Sequence, residues 1–165
     1  MDKLEDMREM LLSFKPEIFE LIRSGKKIYE YRYQFSHQPV RAYMYVSLPV
    51  QQIVGYLELG RRISLEEWKE KYKDNGEVKE RIDEYIARNN KYVMPIKSFH
   101  MTKPILLCNL KKDIKNFIIP QSYYYLDKFP ELLEYIRENA IETNEVMKNT
   151  FYDDNMDNIC VRKYE

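Results

Sequence analysis

Many of the features that announce an enzyme or a membrane protein in its sequence are scarce or missing here. No apolar run approaches the roughly 20 residues that a membrane span needs, so no membrane partner is expected. The charged opening MDKLEDMRE is no secretory leader, and the chain reads as cytoplasmic. Cys108 and Cys160 share no metal-ligand spacing, and two cysteines cannot staple a chain of 165 residues, so both read as reduced thiols. His37 and His100, the only histidines, have no Cys, Asp or Glu at ligand spacing, so no metal site is expected. There is no phosphate-cradling glycine loop and no GxSxG, and no cofactor is expected. With 4 Gly, 7 Pro and no internal repeat, low-complexity and solenoid classes are excluded.

What the chain does have is core-forming and aromatic material. Hydrophobic residues make up 44%, and the aromatics include 15 Tyr, 7 Phe and one Trp, enough for a single globular domain with a substantial core. A buried tyrosine hydroxyl needs a partner, so most of the tyrosines are expected on surfaces or at barrel ends. The methionines Met7, Met10, Met44, Met94 and Met101 read as core filler. Net charge is zero from 27 basic and 27 acidic residues, but its distribution is uneven. Residues 93–128 carry six lysines against Asp113 and Asp127, whereas 131–165 carry nine acidic residues against Arg137, Lys148, Arg162 and Lys163. Such asymmetry fits a basic working face with an acidic tail, and it equally fits ordinary solvated surfaces.

Periodicity divides the chain into elements. A short polar helix is expected at the start, followed by EMLLSF as a first strand. Pro16 suits a first helical position, Ile18, Leu21 and Ile22 give that helix one apolar face, and Gly25 sits where it should stop. KKIYEYRYQF, VRAYMYVS and VQQIVGYLEL then read as strands, with Pro49 at a turn and Gly55 at a bulge or close backbone approach. From Ser64 the period becomes helical. Ser64 and Glu67 form a capping box, and after Asn75-Gly76 a second helix places Val78, Ile82, Tyr85 and Ile86 on one face. This 64–91 pair, dense in charge, reads as a solvated cover inserted between strands. KYVMPIKSFHM and PILLCNL restore strand character, Asp127 is placed to cap a last helix bearing Phe129, Leu132, Leu133 and Ile136, and residues beyond Asn144 read as loosely held. The pattern predicts an α+β domain built on a barrel or strongly bent sheet.

One stretch is unusually charged for a strand. In GKKIYEYR, alternation puts Ile28, Glu30 and Arg32 on one face and Tyr29, Tyr31 and Tyr33 on the other. An edge-strand ion pair explains this adequately and is worth about 0–1 kcal/mol. The functional alternative is a charged cleft in which Glu30 orients Arg32 or Lys27 toward an anionic or hydrogen-bonding ligand.

GKKIYEYR, with Gly25, Lys27, Glu30 and Arg32, resembles the G-x-K-x-x-E-x-R signature of the ASCH domain, a branch of the PUA-like superfamily. LLSFKPE, YVSLPVQQIVG and PQSYYYL at 120–126 look like further ASCH segments in the same order, so the resemblance spans roughly residues 10 to 127. It implies a PUA-like mixed β-barrel with flanking helices and the 64–91 helical insertion, in one domain over 1–143 followed by an acidic tail, 144–165. It also implies RNA binding, with the signature residues lining a cleft. Some small ASCH proteins resemble amidohydrolases of acetylated cytidine that use a lysine, a threonine and a glutamate. Lys27 matches that lysine, whereas Glu30 stands where they carry threonine.

Three functional readings follow. In the first, a binding module takes single-stranded RNA or a nucleotide. Lys15, Lys27 and Arg32 meet phosphate or a base edge, Glu30 holds Arg32 or accepts a base amino group, and Tyr45 or Tyr123 stacks on a base. In the second, a small hydrolase of a modified nucleoside or of RNA uses Lys27 and Glu30 as catalytic groups, with Ser47 or Ser122 supplying the hydroxyl. The third is a protein-interaction module centred on Trp68 and Tyr72. If the charged stretch forms a site, Glu30 should be buried beside Arg32 or Lys27, Gln121 and Ser122 should approach the same cavity, and Lys15 should stand at its rim.

Overall fold

The computed structural model describes residues 7–152 and 156–164. The polar helix expected at the start falls mainly on residues 1–6, outside the described residues, and Arg8 already belongs to a strand. Eight strands, β1 (Arg8–Phe14), β2 (Tyr29–Arg32), β3 (Val40–Val46), β4 (Gln52–Leu59), β5 (Ile63–Ser64), β6 (Tyr92–Leu106), β7 (Tyr123–Tyr125) and β8 (Glu142–Lys148), form one curled half-barrel sheet. The helices are α1 (Pro16–Arg23), α2 (Leu65–Lys71), α3 (Gly76–Ala87), α4 (Leu107–Asp113) and α5 (Pro130–Asn139). The sheet runs β2-β6-β4-β3-β1-β7, with β5 and β8 pairing on β6. β1 and β3 are parallel and the other pairs antiparallel. The expected α+β architecture on a strongly bent sheet is therefore what the chain adopts.

Strand alternation here serves two covered faces rather than one. Met10, Leu12 and Phe14 of β1 and Val40, Ala42, Met44 and Val46 of β3 pack inward with Phe19 and Ile22 of α1. Their neighbours Leu11, Tyr43 and Tyr45 point the other way, into a second apolar layer with Leu107, Leu110, Leu132 and Ile136 of α4 and α5. A third cluster joins Leu65, Trp68, Val78, Ile82 and Tyr85 of the α2–α3 pair to Tyr31, Val93, Ile159 and Cys160. The insertion is a cover, as expected, but one with its own apolar underside. Trp68 lies in that underside as a core residue.

Local chemistry sets the ends. Pro16 occupies the first turn of α1, and Gly25 takes the left-handed φ of 79° that stops it. Ser64 caps α2 by accepting from the Glu66 N–H, and Asn75 caps α3 through the Val78 N–H at 3.1 Å. Three expectations are corrected. PILLCNL is strand only to Leu106, because the long β6 ends there and Leu107 and Leu110 turn their helical spacing into the α4–α5 layer. Asp127 does not cap α5, since its carboxylate is held by Arg8 at 3.0 Å. The segment beyond Asn144 is not loosely held: β8 pairs with β6, and Ile159 and Cys160 are buried. Its acidic residues suggested solvation, whereas main-chain pairing and two buried side chains govern it.

Candidate functional site

The charged stretch forms the floor of a cleft. β2 lies at one end of the sheet, where only β6 pairs with it, so its other edge opens on a cavity of about 370 Å³. Lys27, Glu30, Tyr31 and Arg32 line that cavity together with Phe14 and Tyr164. Glu30 is only 6% exposed and Lys27 only 4%. Burial of two opposite charges is tolerated only where each has partners, and partners are present. The Glu30 Oε1 accepts from the Tyr31 N–H at 3.1 Å and lies 3.7 Å from the Arg32 Nε. The Lys27 ammonium stands 4.9 Å from the centre of the Tyr31 ring and 5.8 Å from that of Tyr164. The Glu30 Oε2, by contrast, is buried without any hydrogen-bond partner among the described residues.

Two segments far away in sequence close the cleft. Arg32 donates from Nη1 to the Ser122 Oγ at 3.0 Å and from Nη2 to the Ser13 carbonyl at 3.3 Å. The 156–164 segment returns over β2: the Tyr164 hydroxyl donates to the Lys26 carbonyl at 3.0 Å, and the Tyr31 hydroxyl accepts from the Cys160 N–H at 2.8 Å. Burial, reinforced by Cys160, holds the Tyr31 hydroxyl well above the ordinary tyrosine range. Tyr31 therefore stays neutral beside Lys27. What the arrangement offers chemically is a buried carboxylate with one unfilled acceptor, flanked by an ammonium and a guanidinium in an open cleft.

The family model of the ASCH domain matches residues 12–117. The chain belongs to the ASCH domain family. A curated relative from Zymomonas mobilis, named an ASCH domain-containing ribonuclease, is 30% identical over 145 residues, 78% of this chain and 90% of the relative. Crystal structures of an ASCH protein from the same organism superpose with a TM-score of 0.55 at 23% identity. One, of a serine variant, covers 79% of this chain and 97% of that one, and another covers 77% and 94%. The ASCH fold expected from GKKIYEYR is thus the fold observed.

Within this ASCH domain the expected site residues separate into three groups. Lys15, Lys27, Glu30 and Arg32 share the cleft, with Lys15 exposed at its rim as the residue preceding α1. Ser122 joins them through its bond to Arg32, while Tyr123 lines the adjoining groove, its ring 5.3 Å from that of Phe35. The others do not reach the cleft. Tyr45 is 1% exposed in the α4–α5 layer, so it cannot stack on a base. Ser47 follows β3 with its N–H on the Phe14 carbonyl, and Gln121 is exposed outside the cleft lining. Sequence reasoning missed Tyr31, Tyr164 and Asn90. Tyr31 lay inside the signature itself. Tyr164 and Asn90 gave no signal, because only the fold brings them to β2.

Proposed function

We propose that this chain binds single-stranded RNA in the β2 cleft and cleaves it by transfer of the phosphodiester to the neighbouring 2′-hydroxyl. The observation that carries the reading is the Glu30 Oε2, a buried carboxylate oxygen without a donor, set in a cleft whose other charged groups include Lys27 and Arg32. An unfilled buried acceptor is costly, and a ligand hydroxyl relieves that cost. RNA differs from DNA by one such hydroxyl, placed next to a phosphate that the two cations complement. The name of the Zymomonas relative, a ribonuclease, supports the same reading.

In this mechanism the Glu30 carboxylate takes the 2′-hydroxyl proton as the 2′-oxygen attacks phosphorus. The bond from phosphorus to the 5′-oxygen breaks, and the Lys27 ammonium gives that oxygen its proton. Arg32, fixed by Ser122 and the Ser13 carbonyl, complements the non-bridging oxygens. The products are a 2′,3′-cyclic phosphate and a 5′-hydroxyl.

End-labelled single-stranded RNA incubated with the protein tests this. Fragments ending in cyclic phosphate, lost in Glu30→Gln and in Lys27→Met, are expected, with DNA of the same sequence left intact. Cleavage that survives in both variants would assign the activity elsewhere. Binding of RNA without any cleavage would leave a binding module.

A further inference from the structure

The cleft does not stand alone. On the far side of Arg32 a groove of about 510 Å³ is lined by Ser122, Tyr123, Tyr125 and Lys128. Beyond the end of β2 a third depression, about 360 Å³, is lined by Gln34, Arg62, Lys91 and Tyr92. One side chain belongs to all three. Tyr33 lines the cleft, the groove and the depression, and it is 52% exposed.

Two observations give this junction a chemistry. The charged residues around the three cavities are Lys15, Lys27, Arg32, Arg62, Lys91 and Lys128, against Glu30 as the one carboxylate among the described residues. That excess occurs in a chain with zero net charge, so it is concentrated here rather than general. The second observation is the Tyr33 ring itself. Tyr29, Tyr31, Tyr43, Tyr56 and Tyr123 all pack against other aromatic rings, whereas Tyr33 has no aromatic partner among the described residues. An exposed, unstacked ring where three basic cavities meet is the arrangement single-stranded nucleic acid requires. Cations follow the backbone, and a π-face accepts any unpaired base. Arg62 is held for such a role, its Nη1 on the Phe35 carbonyl at 2.7 Å and its guanidinium 3.9 Å from the centre of the Tyr92 ring.

We infer that Tyr33 is the stacking platform of a single-strand track that runs from the Lys128 groove past the cleft to the Arg62–Lys91 depression. The strand is held over several nucleotides rather than at one. The inference rests on the cleft being an RNA site and adds its substrate class, unpaired RNA longer than a dinucleotide.

Fluorescence anisotropy with a labelled octauridylate and a labelled diuridylate, at two salt concentrations, tests it on the full chain. Cleavage is blocked with RNA whose linkages carry a methylene in place of the 5′-oxygen, which removes the leaving group and keeps both the 2′-hydroxyl that Glu30 accepts from and the backbone charge. Tyr33→Ala should weaken octamer binding about tenfold or more, the loss of one base stack, and so reduce the octamer's advantage over the dimer. Lys91→Gln and Lys128→Gln, both at exposed positions, should each reduce the salt slope of octamer binding by about 0.7. RNA duplex should compete poorly. Octamer binding that depends on Lys27 but stays at wild-type affinity and salt slope in all three variants would overturn the track and leave the cleft standing. Inorganic polyphosphate competing as well as RNA would overturn the stacking role of Tyr33. No RNA binding by the wild type would remove both the cleft reading and the track.

Discussion

Arg32 on β2 donates to Ser122 just before β7, and these two strands are the opposite ends of the curled sheet. A single guanidinium therefore spans the seam of the half-barrel while its Nε faces the Glu30 carboxylate at 3.7 Å. Seam and site share one residue. Replacing Arg32 with Met should destabilise the fold by about 2–3 kcal/mol, from lost charge-assisted bonds and a buried carboxylate stripped of its cation. Urea denaturation of Arg32→Met, Glu30→Gln and the double variant gives the coupling. Strict additivity of the two losses would show that the residues act independently.

Glu30→Gln tests the chemistry in a chain that still folds. The amide keeps an oxygen for the Tyr31 N–H and removes the charge facing Arg32, so RNA cleavage should fall by at least about 100-fold while the fold loses about 1–3 kcal/mol and stays folded without denaturant. An active Gln variant would take Glu30 out of the mechanism.

Gly55 marks the close approach of β4 to β6. A Cβ there would fall on the His100 carbonyl oxygen and press against the Phe99 ring at 3.0 Å, where neither neighbour can swing aside. Gly55→Ala should cost about 1–3 kcal/mol, read as a lowered thermal midpoint. A midpoint equal to wild type would mean that the bulged register between the strands yields freely.

These results separate what patterning reveals from what it hides. β1, α1, β3 and β4 were legible because period-two and period-3.6 apolar spacing coincide with their burial, and Gly25 and Asn75 punctuate by local conformation alone. Tyr45 misled because β3 is covered on both faces, so alternation gave its direction without saying that helices wait on that side. Leu107 reads as strand from sequence because Leu-rich runs suit either state. Within the site, Lys27, Glu30 and Arg32 were legible as one local motif. Tyr33's position at the meeting of three cavities depends on β7, the α3–β6 turn and the 156–164 segment, which no window around residue 33 contains.

Alkaline pH should destabilise the fold through its buried phenols. Burial and the Glu9 carboxylate push Tyr43 up to about 12, and burial alone does the same to Tyr124. Both groups hold their protons more tightly when folded. Their contribution is therefore complete below the unfolded value near about pH 10 and lost as pH rises toward about 12. Urea midpoints taken across that window should decline, and the decline should be shallower in Tyr43→Phe. A flat profile would mean that these hydroxyls titrate as free tyrosine.

Arg81 anchors the 156–164 segment from within, its Nη1 on the Ile159 carbonyl at 2.7 Å and its Nη2 on that of Met156 at 3.1 Å. Arg81→Met should release the segment, raising amide exchange at Ile159 and Cys160 by an amount equivalent to about 1.5–3 kcal/mol while exchange in β3 and β4 stays slow. Uniform loss of protection across the sheet would show instead that the insertion and the barrel unfold as one unit.

That anchoring also has a consequence in time. A ribosome delivers the elements in chain order, so the curled sheet and both helical layers emerge before residues 156–164 bring Tyr164 to the cleft. Until then Arg81 has neither of its carbonyl acceptors and Lys27 has one aromatic wall instead of two. Closure of the cleft thus follows formation of the sheet and helices that frame it.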